Sequence, residues 1–346
     1  MSACGRSGRP VADRAGAAHG DTLQLRYARL LTIVEFDDHT DIDVADPWHE
    51  GQVLHSYRIE NSRPVRRALV TTSVHCALLD ELGCRQAVAG VCDRQYIHLE
   101  WVQRGCDKGD IADCGNSLEP TIEAIAQLQP DAIFLSPFQN SGGYGRVEQT
   151  GIDIVEMADY MEPSALGRAE WVRFYGRLLG QPQRADSLFA AVEKAYWQTA
   201  AESSATGRRL TLLMDKTVGQ VWYVPGGQST TGRMLADAGA RYPWADDTHS
   251  GSLALSPEQV LEKAADADVW LLRYSGRKPI TLNDLLKENA AYGLLRAFKQ
   301  KRVYGCNTDT STFFEDTPFH PERLLRDIVC MMCPERGEPR YYHRVE

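Results

Sequence analysis

From about Ser164 to Ser203 the sequence shows helical spacing and no strand pattern. Trp171, Phe174, Tyr175, Leu178 and Leu179 recur at helical intervals, then Ala185, Leu188, Phe189, Val192, Ala195 and Tyr196, with Gly180-Gln-Pro182 as an interruption. On both sides of this stretch, strand-like and helix-like runs alternate. The first series reads as a buried strand Ala68-Leu-Val-Thr-Thr-Ser73 and a helix from His75 to Leu82 ended by Gly83. A short strand Ala87–Val91 follows, then a helix from Pro120 carrying Ile122, Ile125 and Leu128, and strands Ala132–Ser136 and Ile152–Glu156. The second reads as strands Leu210–Met214 and Gln220–Val224, helices Thr231–Ala238 and Pro257–Lys263, strand Val269–Leu272, helix Leu282–Lys287, strand Arg302–Tyr304 and helix Pro321–Met332. Such alternation predicts mainly parallel sheets covered by helices. The expected class is α/β: two β/α lobes, 67–163 and 206–333, joined by a long bridging helix within 164–205, with a tail at 334–346. Spacing alone also allows two ordinary core helices in place of the bridge. Two such lobes place a ligand in a cleft between them, where loops at strand C-termini meet.

The section before the first lobe reads differently. Residues 22–66 are expected to form a small antiparallel meander from Leu23–Tyr27, Leu30–Phe36 and Val53–Ile59. The Asp-rich run from Asp37 to Asp46 lacks the Gly and closing Glu of a calcium loop, so it reads as solvated turns. Residues 1–21 are rich in Gly, Ala and Arg without apolar periodicity, as in a flexible leader. Ser2-Ala3-Cys4 resembles the end of a bacterial lipoprotein cleavage site, with Cys4 as the lipidated residue; a chance run of small residues is the competing reading.

Composition narrows the function. Of 346 residues, 38 are Lys or Arg and 47 are Asp or Glu, a net charge of −9 without a basic run, which argues against nucleic acid as a partner. No stretch reaches the roughly 20 apolar residues of a membrane helix, so any membrane attachment is expected only through a lipid anchor. There is no H-E-x-x-H and no G-x-S-x-G. Gly227-Gln-Ser-Thr-Thr-Gly232 has the glycine spacing of a phosphate loop, but Arg233-Met234 stands where Lys-Ser/Thr makes the phosphate and magnesium contacts.

Three segments carry a family resemblance. Asn116-Ser-Leu-Glu-Pro-Thr-Ile-Glu123 through Pro130-Asp131-Ala-Ile-Phe-Leu resembles the helix–strand unit of class III substrate-binding proteins, which serve ABC importers of ferric siderophores, haem and vitamin B12. Leu255-Ser-Pro-Glu258 through Ala267-Asp268-Val269-Trp-Leu-Leu repeats the pattern. Between them, Gly227-Gln-Ser through Met234-Leu-Ala-Asp-Ala-Gly239 is similar to another segment of that family. The resemblance covers about residues 67–333. It implies a monomeric, periplasmic lipoprotein without catalysis or cofactor, which captures a metal-chelate small molecule and delivers it to a permease. It also implies that Glu123 and Glu258, one per lobe, dock onto permease arginines, although each also suits its own helix start.

Residues after predicted strands supply the candidate ligand site. His75, Arg94, Tyr96, Phe138 and Tyr144 fall in the first lobe, and Trp222, Tyr223, Trp244, Arg273, Phe313 and Phe314 in the second. Aromatic side chains around a cleft suit large flat ligands, and the two arginines suit anionic groups. His75 as an axial metal ligand competes with a purely structural role, and each aromatic competes with core packing. The rival function is a two-lobed metal- or cluster-binding enzyme, of chelatase or nitrogenase type, using Cys330-x-x-Cys333 or Cys106 and Cys114. Nine cysteines are present. With Cys4 lipidated, eight remain, and Cys106–Cys114 is the expected disulfide.

Overall fold

Ala68, Leu69 and Val70 are fully buried, and a run that is apolar on both faces belongs at the centre of a parallel sheet. The structure, a computed structural model, describes residues 20–138, 144–205, 207 and 209–346. Cys4 and nearly all of the expected leader lie outside them. In it, Ala68–Val70 lies between Val88–Val91 and Ala132–Leu135, with Ala112–Asp113 and Asp153–Glu156 outermost, all parallel. The chain divides into two compact units. The first holds the residues up to Glu162 and Leu166–Phe189, the second Pro163–Ala165 and Ala190–Glu346.

In the second unit, Leu212–Met214, Val269–Tyr274 and Val303–Asn307 form the parallel core of a sheet whose edge strand, His343–Arg344, runs antiparallel. Val221–Pro225 does not join it. That strand pairs antiparallel with Thr217–Val218 and with Ser252–Leu255, in a separate sheet. The supposed tail is integrated as well. Asp327 accepts from the backbone N–H groups of Arg340 (2.6 Å) and Tyr341 (2.7 Å), and Tyr341 and Tyr342 are buried.

The N-terminal meander forms with altered strands. Leu31–Glu35, His39–Ala45 and Val53–Glu60 pair antiparallel in sequence order; the expected first strand, Leu23–Tyr27, is not one, and Asp21–Thr22 just before it pairs with Val34–Glu35 instead. Strand His39–Ala45 occupies the Asp-rich run read as turns. Thr40, Ile42 and Val44 face inward while Asp41 and Asp43 face out, Asp41 receiving a forked pair of bonds from Arg58 (2.8 Å each). The long helical stretch is three helices, Ala165–Glu170, Val172–Leu178 and the 23-residue Pro182–Ser204. The break falls where Gly180 turns to φ 69° and Pro182 opens the last helix. Cys106 and Cys114 are free thiols, not a disulfide, as are the other six described cysteines, and all but Cys106 are buried.

Buried carboxylates fasten the first unit together. Glu170 is fully buried and accepts from the backbone N–H groups of Arg26 (3.1 Å), Tyr27 (2.8 Å) and Ala28 (2.9 Å). Glu162 accepts from the N–H groups of Arg29 and Leu30 and from the Trp171 indole, all within 3.0 Å. Asp159 is equally buried and takes Arg168 Nε on one oxygen (2.9 Å) and, on the other, His75 Nε2 (2.9 Å) and the Tyr175 hydroxyl (3.0 Å). Burial alone raises an acid's pKa, but His75 and Arg168 outweigh it and bring the Asp159 carboxyl down to about 2.

Two predictions follow from these anchors. Glu170→Ala strips three backbone donors of their acceptor and is expected to lower unfolding stability by about 3 kcal/mol or more. Urea unfolding and hydrogen exchange at residues 26–28 measure it; a loss below about 1 kcal/mol with unchanged exchange contradicts the anchoring role. Asp159 contributes stability that is present above its unfolded pKa of 3.8 and is lost as pH falls through the folded value of about 2. Wild type is therefore expected to lose on the order of 2 kcal/mol over that acid interval. Asp159→Asn, though less stable at neutral pH, should lack that acid-dependent loss in matched unfolding curves.

Candidate functional site

In open α/β sheets, ligands meet the loops beyond the strand C-termini, most often where neighbouring strands run off in opposite directions from a central one. In the first unit that point flanks Ala68–Val70 and Ala132–Leu135. Phe138 follows the latter strand and is 51% exposed; the adjoining Pro137 carbonyl is fixed by the Tyr160 hydroxyl at 2.5 Å. Tyr96, after the neighbouring strand Val88–Val91, is 69% exposed. Arg94 is committed elsewhere: its Nε donates to Gln103 Oε1 (2.9 Å) and its Nη2 pairs with Asp107. The Tyr144 hydroxyl donates to Glu156 Oε1 (3.2 Å), and burial pushes its pKa well up.

His75 does not join this surface. It is buried, with Thr72 Oγ1 2.6 Å from Nδ1 and Asp159 Oδ1 2.9 Å from Nε2. With both ring nitrogens occupied, no lone pair points outward for a metal. Among the described residues, no group of three or more His, Cys, Asp or Glu side chains is placed to hold a metal ion.

The second unit holds a concavity of about 720 Å³ at the C-terminal ends of its parallel strands. Asp215 and Lys216 follow Leu212–Met214, Arg273 and Tyr274 close the central strand, and Thr308 follows Val303–Asn307. Tyr223 and Phe314, 44% and 49% exposed, add apolar walls with Val218, Pro279 and Ile280. Asp215 sits at φ 58°, a left-handed conformation that Asp tolerates better than most residues. Its carboxylate takes a fork from Arg273, Nε to Oδ1 at 2.9 Å and Nη2 to Oδ2 at 2.6 Å.

Beneath that floor lies a packed aromatic set. Trp222, Trp270 and Tyr292 are fully buried, their ring centroids 4.8 to 6.0 Å apart. Trp222 Nε1 donates to the Met214 carbonyl (3.1 Å) and Trp270 Nε1 to the Asp215 carbonyl (2.6 Å), so the core holds the strand end that presents Asp215. Trp222 is thus a supporting residue, not a wall of the cavity. Trp244 and Phe313 are also buried, the first against Tyr242 and Lys263, the second against Tyr341 and Tyr342. Of the sequence candidates, Tyr223, Arg273 and Phe314 come together at the concavity. Sequence reading missed Asp215, Lys216 and Asp284 there.

Glu123 and Glu258 are exposed in the first turns of Ile122–Leu128 and Pro257–Ala264. Ser256 caps the second helix through a reciprocal box with Gln259, and Glu258's own backbone N–H, with Ser256, holds its carboxyl below the usual value. The glycine segment before Thr230–Asp237 is structural. A Cβ on Gly227 would lie 2.4 to 2.6 Å from three backbone carbonyl oxygens, and the Ser229 hydroxyl caps the helix by accepting from Gly232 N at 3.0 Å.

Comparison with known proteins places this architecture. The periplasmic binding protein family's sequence profile matches residues 70–310. An uncharacterized lipoprotein of Methanocaldococcus jannaschii is 23% identical over 309 residues, covering 87% of this chain and 73% of that protein. Among solved structures, an ABC-type Fe3+-hydroxamate transport system protein from Saccharomonospora viridis superposes with a TM-score of 0.60 at 19% identity, covering 81% of this chain and 96% of the other. A periplasmic heme-binding protein from Pseudomonas aeruginosa gives 0.62 at 17% identity, covering 82% and 98%. At such identities these likenesses show a shared fold. The chain belongs to the periplasmic binding protein family, a family of binding proteins and not of enzymes.

Proposed function

We propose that this protein captures a metal-chelate nutrient of the siderophore, haem or cobalamin type outside the cytoplasm and hands it to an ABC import permease. The observation that carries the reading is the concavity of about 720 Å³ at the strand C-termini of the second unit, walled by exposed Tyr223 and Phe314. A volume of that size suits a ligand of several hundred daltons, and pre-exposed aromatics gain by being covered. Exposed Phe138 and Tyr96 give the first unit a ligand-facing surface of the same kind. Family membership and structural neighbours named for iron–hydroxamate transport and for heme support the chelate class.

The protein acts as a monomer that docks on its permease through Glu123 and Glu258, one exposed carboxylate on each unit. Among the described residues no helix is long and apolar enough to cross a membrane. A lipid on Cys4 supplies the attachment, a reading supported by Ser2-Ala3-Cys4 and by the lipoprotein name of the archaeal relative. The cluster-enzyme alternative receives no support, since Cys330 and Cys333 are buried thiols and the family is one of binding proteins.

Thermal-shift screening against ferric siderophores, haem, cobalamin and cobinamide tests the capture role; no stabilisation by any of them would remove the chelate reading. For docking, the double variant Glu123→Lys/Glu258→Lys is expected to keep chelate affinity within about twofold while abolishing stimulation of the cognate importer's ATPase. Retained stimulation, or a collapse of chelate affinity, contradicts the docking assignment.

A further inference from the structure

The charges lining the concavity of the second unit cancel: Asp215, Asp284 and Glu288 stand against Lys216, Arg273 and Lys278. Two of the three cations are already engaged by carboxylates of the lining, Arg273 by the Asp215 fork and Lys216 by Glu288. The first unit repeats the pattern, with Arg94 held by Asp107 and Arg168 by Asp159. A polyanionic ligand reaching for Arg273 therefore meets the Asp215 carboxylate at the same place, and the attraction and the repulsion offset each other. The pair nonetheless remains a donor. Arg273 turns two of its five N–H bonds to Asp215 through Nε and Nη2, and the others can meet a neutral carbonyl-type oxygen.

We infer that this concavity selects chelates of zero net charge, of the ferric trihydroxamate class, over polyanionic chelates, and that the Asp215–Arg273 pair sets the preference. The inference rests on the chelate-binding role proposed above and narrows it. Three singly charged hydroxamates balance ferric iron, whereas three doubly charged catecholates leave three negative charges over. The neutral complex can cover Tyr223 and Phe314 and accept hydrogen bonds from the paired guanidinium without disturbing Asp215.

The test is titration of the purified protein, by tryptophan fluorescence at physiological salt, with ferrichrome, ferric enterobactin and haem. Wild type is expected to bind neutral ferrichrome at least about tenfold more tightly than trianionic ferric enterobactin or haem, which carries two propionate charges. Asp215→Asn keeps a residue suited to φ 58° but frees the Arg273 charge, and should shift the affinity ratio toward the anionic chelates by about tenfold. Circular dichroism confirms that the variant is folded. Tighter binding of either anionic chelate by wild type, or a ratio unmoved in folded Asp215→Asn, overturns the inference while leaving chelate capture standing. Failure of folded wild type to bind any of the three probes, or the cobalamins, overturns chelate capture and this selectivity together.

Discussion

Buried carboxylates are tolerated only where donors surround them, and the first unit is organised around three that meet this condition within twelve residues. Asp159, Glu162 and Glu170 each accept several N–H or O–H bonds. Between them they take hold of the segment Arg26–Leu30, which leads into the N-terminal sheet, of His75 on the helix after the central strand, and of Trp171 and Tyr175, at the start of and within helix Val172–Leu178. Arg177 extends the set by pairing with Asp186 at the start of the long helix and with Glu35 in the N-terminal sheet. Removing any one acceptor takes a hydrogen bond from donors of a different element. The N-terminal sheet is in this sense a built part of the unit, and part of the chain's acidic excess is spent internally as anchoring.

The larger architecture was legible because parallel strands buried on both faces leave continuous apolar runs, as in Ala68–Val70 and Ala132–Leu135. Elements with weaker local signals were not. His39–Ala45 carries Asp41 and Asp43 on its outward face, so its composition reads as turn while its inward Thr40, Ile42 and Val44 make the strand. Ser252–Leu255 is only four residues long and half exposed, and pairing with Val221–Pro225 is what makes it a strand. Residues 340–346 look like a tail because their acceptor, Asp327, sits on the preceding helix and no local pattern announces it.

For the candidate residues, place along the strands was legible and facing was not. Trp222 and Tyr223 are neighbours on one strand, and alternation sends them to opposite faces: one into the core, one to the cavity. Phe313 and Phe314 divide in the same way within a short helix. Period alone says that one of each pair is buried, and only the sheet says which. The partners of the arginines were hidden for a different reason. Arg94 and Arg273 stand where anion clamps belong, yet each is claimed by a carboxylate distant in sequence, 13 residues away for Asp107 and 58 for Asp215. Nothing local to either arginine reveals the partner.

This division of labour bears on how such a cavity binds. Side chains free to move must be immobilised when a ligand arrives, at roughly 0.5–1.5 kcal/mol each for rotamer-rich ones. Here much of that ordering precedes the ligand. Trp222 and Trp270 grip the carbonyls of Met214 and Asp215 from below, Tyr292 braces both rings and bonds Thr217, and Arg273 is locked in its fork. Among the lining residues that stay exposed, Tyr223 and Phe314 have few rotatable bonds and much apolar area. A ligand bound there would gain from a core it does not touch, because that core holds the charge-balanced floor still.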